Sequence, residues 1–232
     1  LGQLAVYINE ATEPLCRPFR DEMRIDGRTE ATFTNLEIRN LSGMDGGVGA
    51  VVWVLHHEYS GALSNRALIK GLRLRSGNIQ VGDHTLLEYL FPEARFNSWA
   101  VGEVHIVDPR ILANGRRDNF EHSVHLDNVL NQLAPMAREI SRRCRQSSVS
   151  RKWLREFELH REAAFERAKA VARGGLTRIS RQAHVDAALK SVKAMKKVVE
   201  TRHLDDEIRQ HLTEEATAAE SRVHKLLGQD AA

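Results

Sequence analysis

The spacing of apolar residues changes part-way along this chain, and the change divides it into two regions. Up to about residue 150 the apolar residues form short runs separated by glycine, proline and polar turns. Residues 32–38 alternate in side-chain type at period two, which predicts a half-buried strand. Residues 49–56 are valine-rich and predict a buried strand, preceded by a turn at Gly43-Met44-Asp45-Gly46-Gly47. Residues 71–75 and 78–82 alternate again. Residues 85–91 predict a short helix ended by Pro92, and 99–107 another strand closed by Asp108-Pro109. Residues 1–8 are apolar enough for a strand or short helix. Residues 63–69 read as an irregular link.

From residue 118 the period becomes helical. Leu126, Val129, Leu130, Leu133, Ala137 and Ile140 share a face, and Pro135 predicts a kink or restart. Past residue 150 there is no proline, and the apolar positions fall into three heptad-like series. The first is Trp153, Phe157, His160 and Ala164. The second is Val185, Ala188, Val192, Met195 and Val199. The third is Ile208, Leu212, Ala216, Ala219, Val223 and Leu226. Gly174-Gly175 and residues 202–206 separate them. The expected fold class is therefore α+β: a β-sheet with packed helices over residues 1–147, then an all-helical bundle or coiled-coil extension over 150–232. The closing helix of the first region is expected at about 118–146. The alanine-rich seams suggest close packing and a dimer.

Composition narrows the class. Apolar residues make up 42% and charged residues 28%, which places the chain among globular rather than disordered proteins. No apolar run reaches the length of a membrane helix, so no membrane contact is expected. The two cysteines, Cys16 and Cys144, are far apart and form no framework, which points to a reducing cytoplasm. The formal charge of +3 permits contact with nucleic acid without arguing for it. The chain begins at Leu1, with no initiator methionine and no signal-peptide pattern, and reads as an excised fragment or processed form.

Few residue patterns carry chemistry. Asp45-Gly46-Gly47-Val48-Gly49 precedes a strand instead of a helix, so it reads as a turn and not as a nucleotide loop. His56 and His57 are adjacent on a strand end and point to opposite faces, so they cannot share a metal. His122 and His125 could share a face, but no further ligand completes a zinc site. No nucleophile elbow or hydrolase triad is present. Cys144 follows two arginines yet sits on a helix face, which favours a structural thiol. Lys190, Lys193 and Lys197 share one face of a basic helix. They read either as a contact for nucleic acid or an acidic partner, or as a solvated outer face, and no interleaved aromatics support strand stacking. Trp53, Trp99 and Phe120 are expected in the core.

A resemblance adds to this reading. The run Gly71-Leu72-Arg73-Leu74-Arg75-Ser76-Gly77-Asn78-Ile79-Gln80-Val81-Gly82 resembles a strand segment of the middle, transducer domain in bacterial proteins similar to the ninety-kilodalton heat-shock chaperones. Asn114-Gly115-Arg116-Arg117-Asp118-Asn119-Phe120, followed by an amphipathic helix, is similar to that family's Asn-x-x-Arg-Glu-x-Leu segment. Gly115-Arg116 stand where the chaperones carry an apolar residue and a small hydroxyl. The family belongs to the GHKL superfamily, with type II topoisomerases, MutL and MORC proteins and histidine kinases.

The resemblance implies a transducer-like domain whose loop arginine reaches the γ-phosphate of ATP held by an N-terminal domain. By the motif match Arg117 is the first choice for that role and Arg116 the second, with Asn114 shaping the loop and adding a polar contact. A guanidinium suits the task because its planar fork of donors matches phosphate oxygens and its charge is permanent. Without the resemblance, both arginines read as solvated charges or as partners of Asp118 and Glu121. The chain itself shows no nucleotide-binding motif. ATP and magnesium are therefore expected for a full-length protein only, and the isolated chain is expected to be inactive. The implied partners are the N-terminal ATP-binding domain, a second copy in a homodimer and a protein client. The alternative function is a segment of a DNA-associated ATPase of the MORC or MutL type.

Overall fold

The computed structural model describes residues 7, 12, 22–25, 29–64, 67, 69–202, 204 and 206–228. The chain forms two compact units, Leu1–Ser148 and Val149–Ala232. The architecture is α+β. Apart from Tyr7, the element expected over residues 1–8 lies outside the described residues, as does Cys16.

In the first unit, β1 (Glu22–Ile25) and β2 (Thr29–Thr32) form a separate antiparallel pair. A five-stranded mixed sheet follows. Its strands are β3 (Asn35–Ser42), β4 (Val48–His56), β5 (Gly71–Ser76), β6 (Ile79–Val81) and β7 (Val101–Ile106). Their order is β3-β4-β7-β5-β6, antiparallel throughout except for the parallel β5–β7 pair.

One face of the sheet is packed by the long helix α1 (Val124–Arg173). Ala50, Val52, Val54, Leu72, Leu74 and Val104 from the strands share a core with Leu126, Val129, Leu133, Ala137, Ile140 and Cys144. The helical period read from the sequence therefore places the right residues inward. The helix starts at 124 because Ser123 caps it, its hydroxyl accepting the Leu126 N–H at 3.2 Å. Phe120 is buried, whereas Trp53 and Trp99 are only half-buried at the core's margin.

Two expectations about helices need correction. A single helix spans 124–173, where a start at about 118 and a break near 150 were expected, and it does not restart at Pro135. Pro135 removes one N–H donor, that for the Asn131 carbonyl, yet the helix continues through it. The serines near 150 are only weakly unfavourable in a helix, and Ser150 is buried. The helix expected at 85–91 is instead a 3-10 turn at Glu88–Leu90, with N–H groups bonding three residues back. A second 3-10 helix, Ala94–Trp99, has no counterpart in the sequence reading.

The second unit contains the C-terminal part of α1, then α2 (Arg178–Thr201) and α3 (Asp206–Leu227). Gly174 and Gly175, at φ +75° and +77°, end α1. Thr177 opens α2, its Oγ1 accepting the Ser180 N–H at 3.2 Å. The three helices share a core of Phe157, Ala164, Ala168, Val192, Met195, Leu212, Ala216 and Val223, among others. Of the first heptad series, Phe157 and Ala164 are buried, while Trp153 and His160 lie at the margin.

Candidate functional site

The loop between β7 and α1 carries the arginines singled out by sequence. Ala113 and Phe120 form a bridge that closes it. Within it the Asn114 N–H donates to the Asn119 carbonyl at 2.9 Å, and the Arg117 N–H to the Asn114 carbonyl at 3.0 Å. The Asn114 side chain completes the structure. Its Nδ2 donates to Asp118 Oδ1 at 2.6 Å, and its Oδ1 accepts the Asp118 N–H at 3.2 Å. Asn114 thus holds the loop shut through both ends of its amide.

Arg117 adopts φ +57°, a left-handed conformation rare for a residue with a Cβ. Its carbonyl accepts the N–H of Gly82, just past β6, at 2.8 Å. The loop tip is thereby tied to the sheet and the Arg117 side chain is turned outward, where it is exposed. Arg116 is also exposed, with its Nε 3.0 Å from Asp118 Oδ2.

Arg116, Arg117 and Asp118 line an open depression of about 460 Å³ together with Gly82, Asp83 and Thr85. Its two carboxylates are already engaged. Asp118 holds Asn114 and Arg116. Asp83 accepts the Thr85 N–H at 2.7 Å and its hydroxyl at 2.5 Å, bonds that pull its pKa below the usual value. Among the described residues, the Arg117 guanidinium has no ion pair and no side-chain hydrogen bond. Beside the depression lies a cleft of about 320 Å³ of mixed lining, with Leu74, Leu86, Leu87 and Phe120 beside Asn119, His122 and Asp127.

The other candidates are dispersed. His56 and His57 are both buried and bonded. His56 joins Glu37 through Nε2 at 2.7 Å and the Tyr59 hydroxyl through Nδ1 at 2.6 Å. His57 Nε2 lies 2.7 Å from the Trp99 carbonyl oxygen. His125 sits 3.4 Å from Asp108, and His122 is exposed. No group of three His, Cys, Asp or Glu side chains converges on a metal position among the described residues. Cys144 is buried in the first core. Asp45 folds a turn, accepting the Gly47 N–H at 3.1 Å. Lys190, Lys193 and Lys197 lie exposed on one face of α2, while Lys196 pairs with Glu220 at 2.5 Å.

One cluster escaped the sequence reading. On the sheet face opposite α1, Glu103 Oε1 lies 3.2 Å from both Arg73 and Arg75, and Glu103 Oε2 lies 3.0 Å from His105. All four side chains are buried. Burial lowers the His105 pKa against the opposing pull of Glu103, so the imidazole favours its neutral form. Residues 71–75 read from the sequence only as an alternating strand. The signal that could have found the cluster is the matching Glu-Val-His alternation in β7, which supplies the counter-charge in register.

No family model matches the chain, and neither does any curated protein or solved structure.

Proposed function

We propose that this chain is the non-catalytic, transducing segment of an ATP-driven chaperone-type protein, and that Arg117 senses the terminal phosphate of a nucleotide held by another module. The observation that carries this reading is the uncommitted guanidinium of Arg117, exposed on a loop that hydrogen bonds hold in one conformation. A preorganised cation of this kind stabilises developing phosphoryl charge without reorganising at the moment of reaction. Arg116, neutralised by Asp118, is the weaker candidate. Asn114 is a positioning residue. Closure of the nucleotide module onto the loop would pull on β6 through the Arg117–Gly82 bond and on α1 through Phe120, and so move the segment that meets a client or a second copy.

The test is steady-state ATPase activity of the full-length protein carrying Arg117→Ala. Turnover at saturating ATP should fall about tenfold or more, as expected when a phosphate-sensing cation is lost. Arg116→Ala should have a smaller effect. Unchanged activity in Arg117→Ala would remove the role. The isolated chain is expected to turn over no ATP.

A second reading, contact with DNA, is favoured by the exposed Lys190, Lys193 and Lys197, which have no ion pair among the described residues. It predicts duplex binding whose affinity falls steeply with salt and whose salt slope shrinks when these lysines are changed to glutamine.

A further inference from the structure

We infer that the edge of β3 left unpaired among the described strands pairs with the same edge of a second copy, antiparallel and centred on Ile38. The inference is independent of any role in phosphate sensing. Among the described strands, β3 pairs with β4 alone and forms one edge of the five-stranded sheet. Natural edge strands are usually short, bulged, covered or charged on their outward positions. This one is eight residues long and presents Leu36, 52% exposed, and Ile38, 62% exposed, on one face.

The backbone parity is readable. The Gly49 carbonyl accepts the N–H of Val107, just past β7, and the His56 carbonyl that of Thr34, just before β3. Backbone groups alternate in direction along a strand. Residues 50, 52, 54 and 56 of β4 therefore face β3, and they are matched to Leu41, Arg39, Glu37 and Asn35. That leaves the N–H and C=O of Leu36, Ile38 and Asn40 at the open edge. The far end is sealed, because Asn128 and Gln132 of α1 bond the Ser42 backbone at 2.7 to 3.0 Å.

A two-fold axis perpendicular to the sheet at Ile38 makes this edge complementary to itself. Ile38 then faces Ile38 of the second copy as a hydrogen-bonded pair, and Leu36 faces Asn40. Glu37 faces Arg39, and Arg39 faces Glu37, as non-hydrogen-bonded pairs in which side chains approach most closely. Within one chain Glu37 and Arg39 already form an ion pair, so each pairing across the axis exchanges an equivalent partner. A shift of the axis by one residue would put either Glu37 or Arg39 opposite its own copy.

Sedimentation velocity of the chain over a concentration series tests the proposal. The expected result is a reversible monomer–dimer equilibrium. Ile38→Lys and Arg39→Glu should each weaken it, with Kd rising about tenfold for the charge reversal, which puts like charges opposite one another twice. Both positions are exposed, and an unchanged circular dichroism spectrum confirms folding. Under mild oxidation Ile38→Cys should form an intermolecular disulfide, since hydrogen-bonded antiparallel pairs hold their Cα atoms ~5.5 Å apart. Leu36→Cys, which faces Asn40, should not. A monomer at every concentration, or a dimer indifferent to both Ile38→Lys and Arg39→Glu, would overturn the assignment.

Discussion

The carbonyl of Arg117 accepts the N–H of Gly82 at 2.8 Å, and this bond ties the arginine loop to the end of β6. Gly82 sits at φ +65°, and a Cβ there would lie 2.8 Å from the Asp118 carbonyl oxygen and 2.6 Å from Leu86. Gly82→Ala is therefore expected to destabilise the first unit by about 1–3 kcal/mol in urea denaturation, combining backbone strain with a clash against main chain. Hydrogen exchange should speed up at residues 114–119. Slow exchange in the variant would show that the loop holds its shape without this contact.

Asn114→Ala removes both side-chain bonds to Asp118 but buries nothing new. The expected cost is about 0.5–1.5 kcal/mol. The larger effect should fall on loop order, with faster exchange at Arg117 and Asp118. Asn114→Asp keeps the acceptor for the Asp118 N–H but sets a carboxylate against the Asp118 carboxylate, so it should not rescue the loop.

Glu103 is the shared acceptor for Arg73, Arg75 and His105 on a covered sheet face. Glu103→Gln leaves two buried guanidinium groups without their common counter-charge. Denaturation should show a loss of about 3–5 kcal/mol, far more than an exposed ion pair such as Arg116–Asp118 would give. Asp118→Asn serves as the comparison, with an expected change below about 1 kcal/mol.

Acid should weaken the first unit in a defined window. The Arg110 side chain bonds Asp108 and holds its pKa at about 2. Arg142 and Arg143 hold Glu139 at about 2 in the same way. Both values lie below the unfolded range of about 4. These groups therefore contribute their full stabilisation above about pH 4 and lose it as pH falls toward 2. His57 and His105, whose pKa values burial lowers, act in the same direction from a higher pH, because the unfolded chain binds their protons first. Thermal melts at stepped pH should show a falling midpoint, with the segment below pH 4 shallower in Arg110→Ala.

Much of the fold could be read along the chain because the spacing of apolar residues reflects burial on one face. Val52 and Val54 of β4, the Leu126–Ile140 stripe of α1 and the seams of α2 and α3 pack where the spacing of apolar residues put them. The Asn114–Phe120 segment was legible only as the approach to a helix, which was expected from about 118 and starts at 124. The length of α1 was not, since Pro135 lacks an N–H donor and the composition change near 150 suggested a boundary that the helix crosses. Asn97 shows the same limit. It is fully buried in a 3-10 helix, where its Oδ1 accepts the Leu72 N–H at 3.0 Å and its Nδ2 donates to the His84 carbonyl at 2.5 Å. No local pattern marks a polar side chain that serves two distant backbones.

The amino-acid order alone determined the strands of the five-stranded sheet in outline, the helical character of the C-terminal region, where composition turns from mixed to helical, and which residues carry permanent charge. Those properties follow from local sterics and from periodicity, which act between near neighbours. Tertiary structure alone decided which charges are committed. It paired Arg116 with Asp118 while leaving Arg117 outward, buried Arg73 and Arg75 against Glu103, and set Leu36 and Ile38 on an open edge. A charge is engaged or left available by what stands within a few ångströms of it, and residues far apart in the chain supply most of those neighbours.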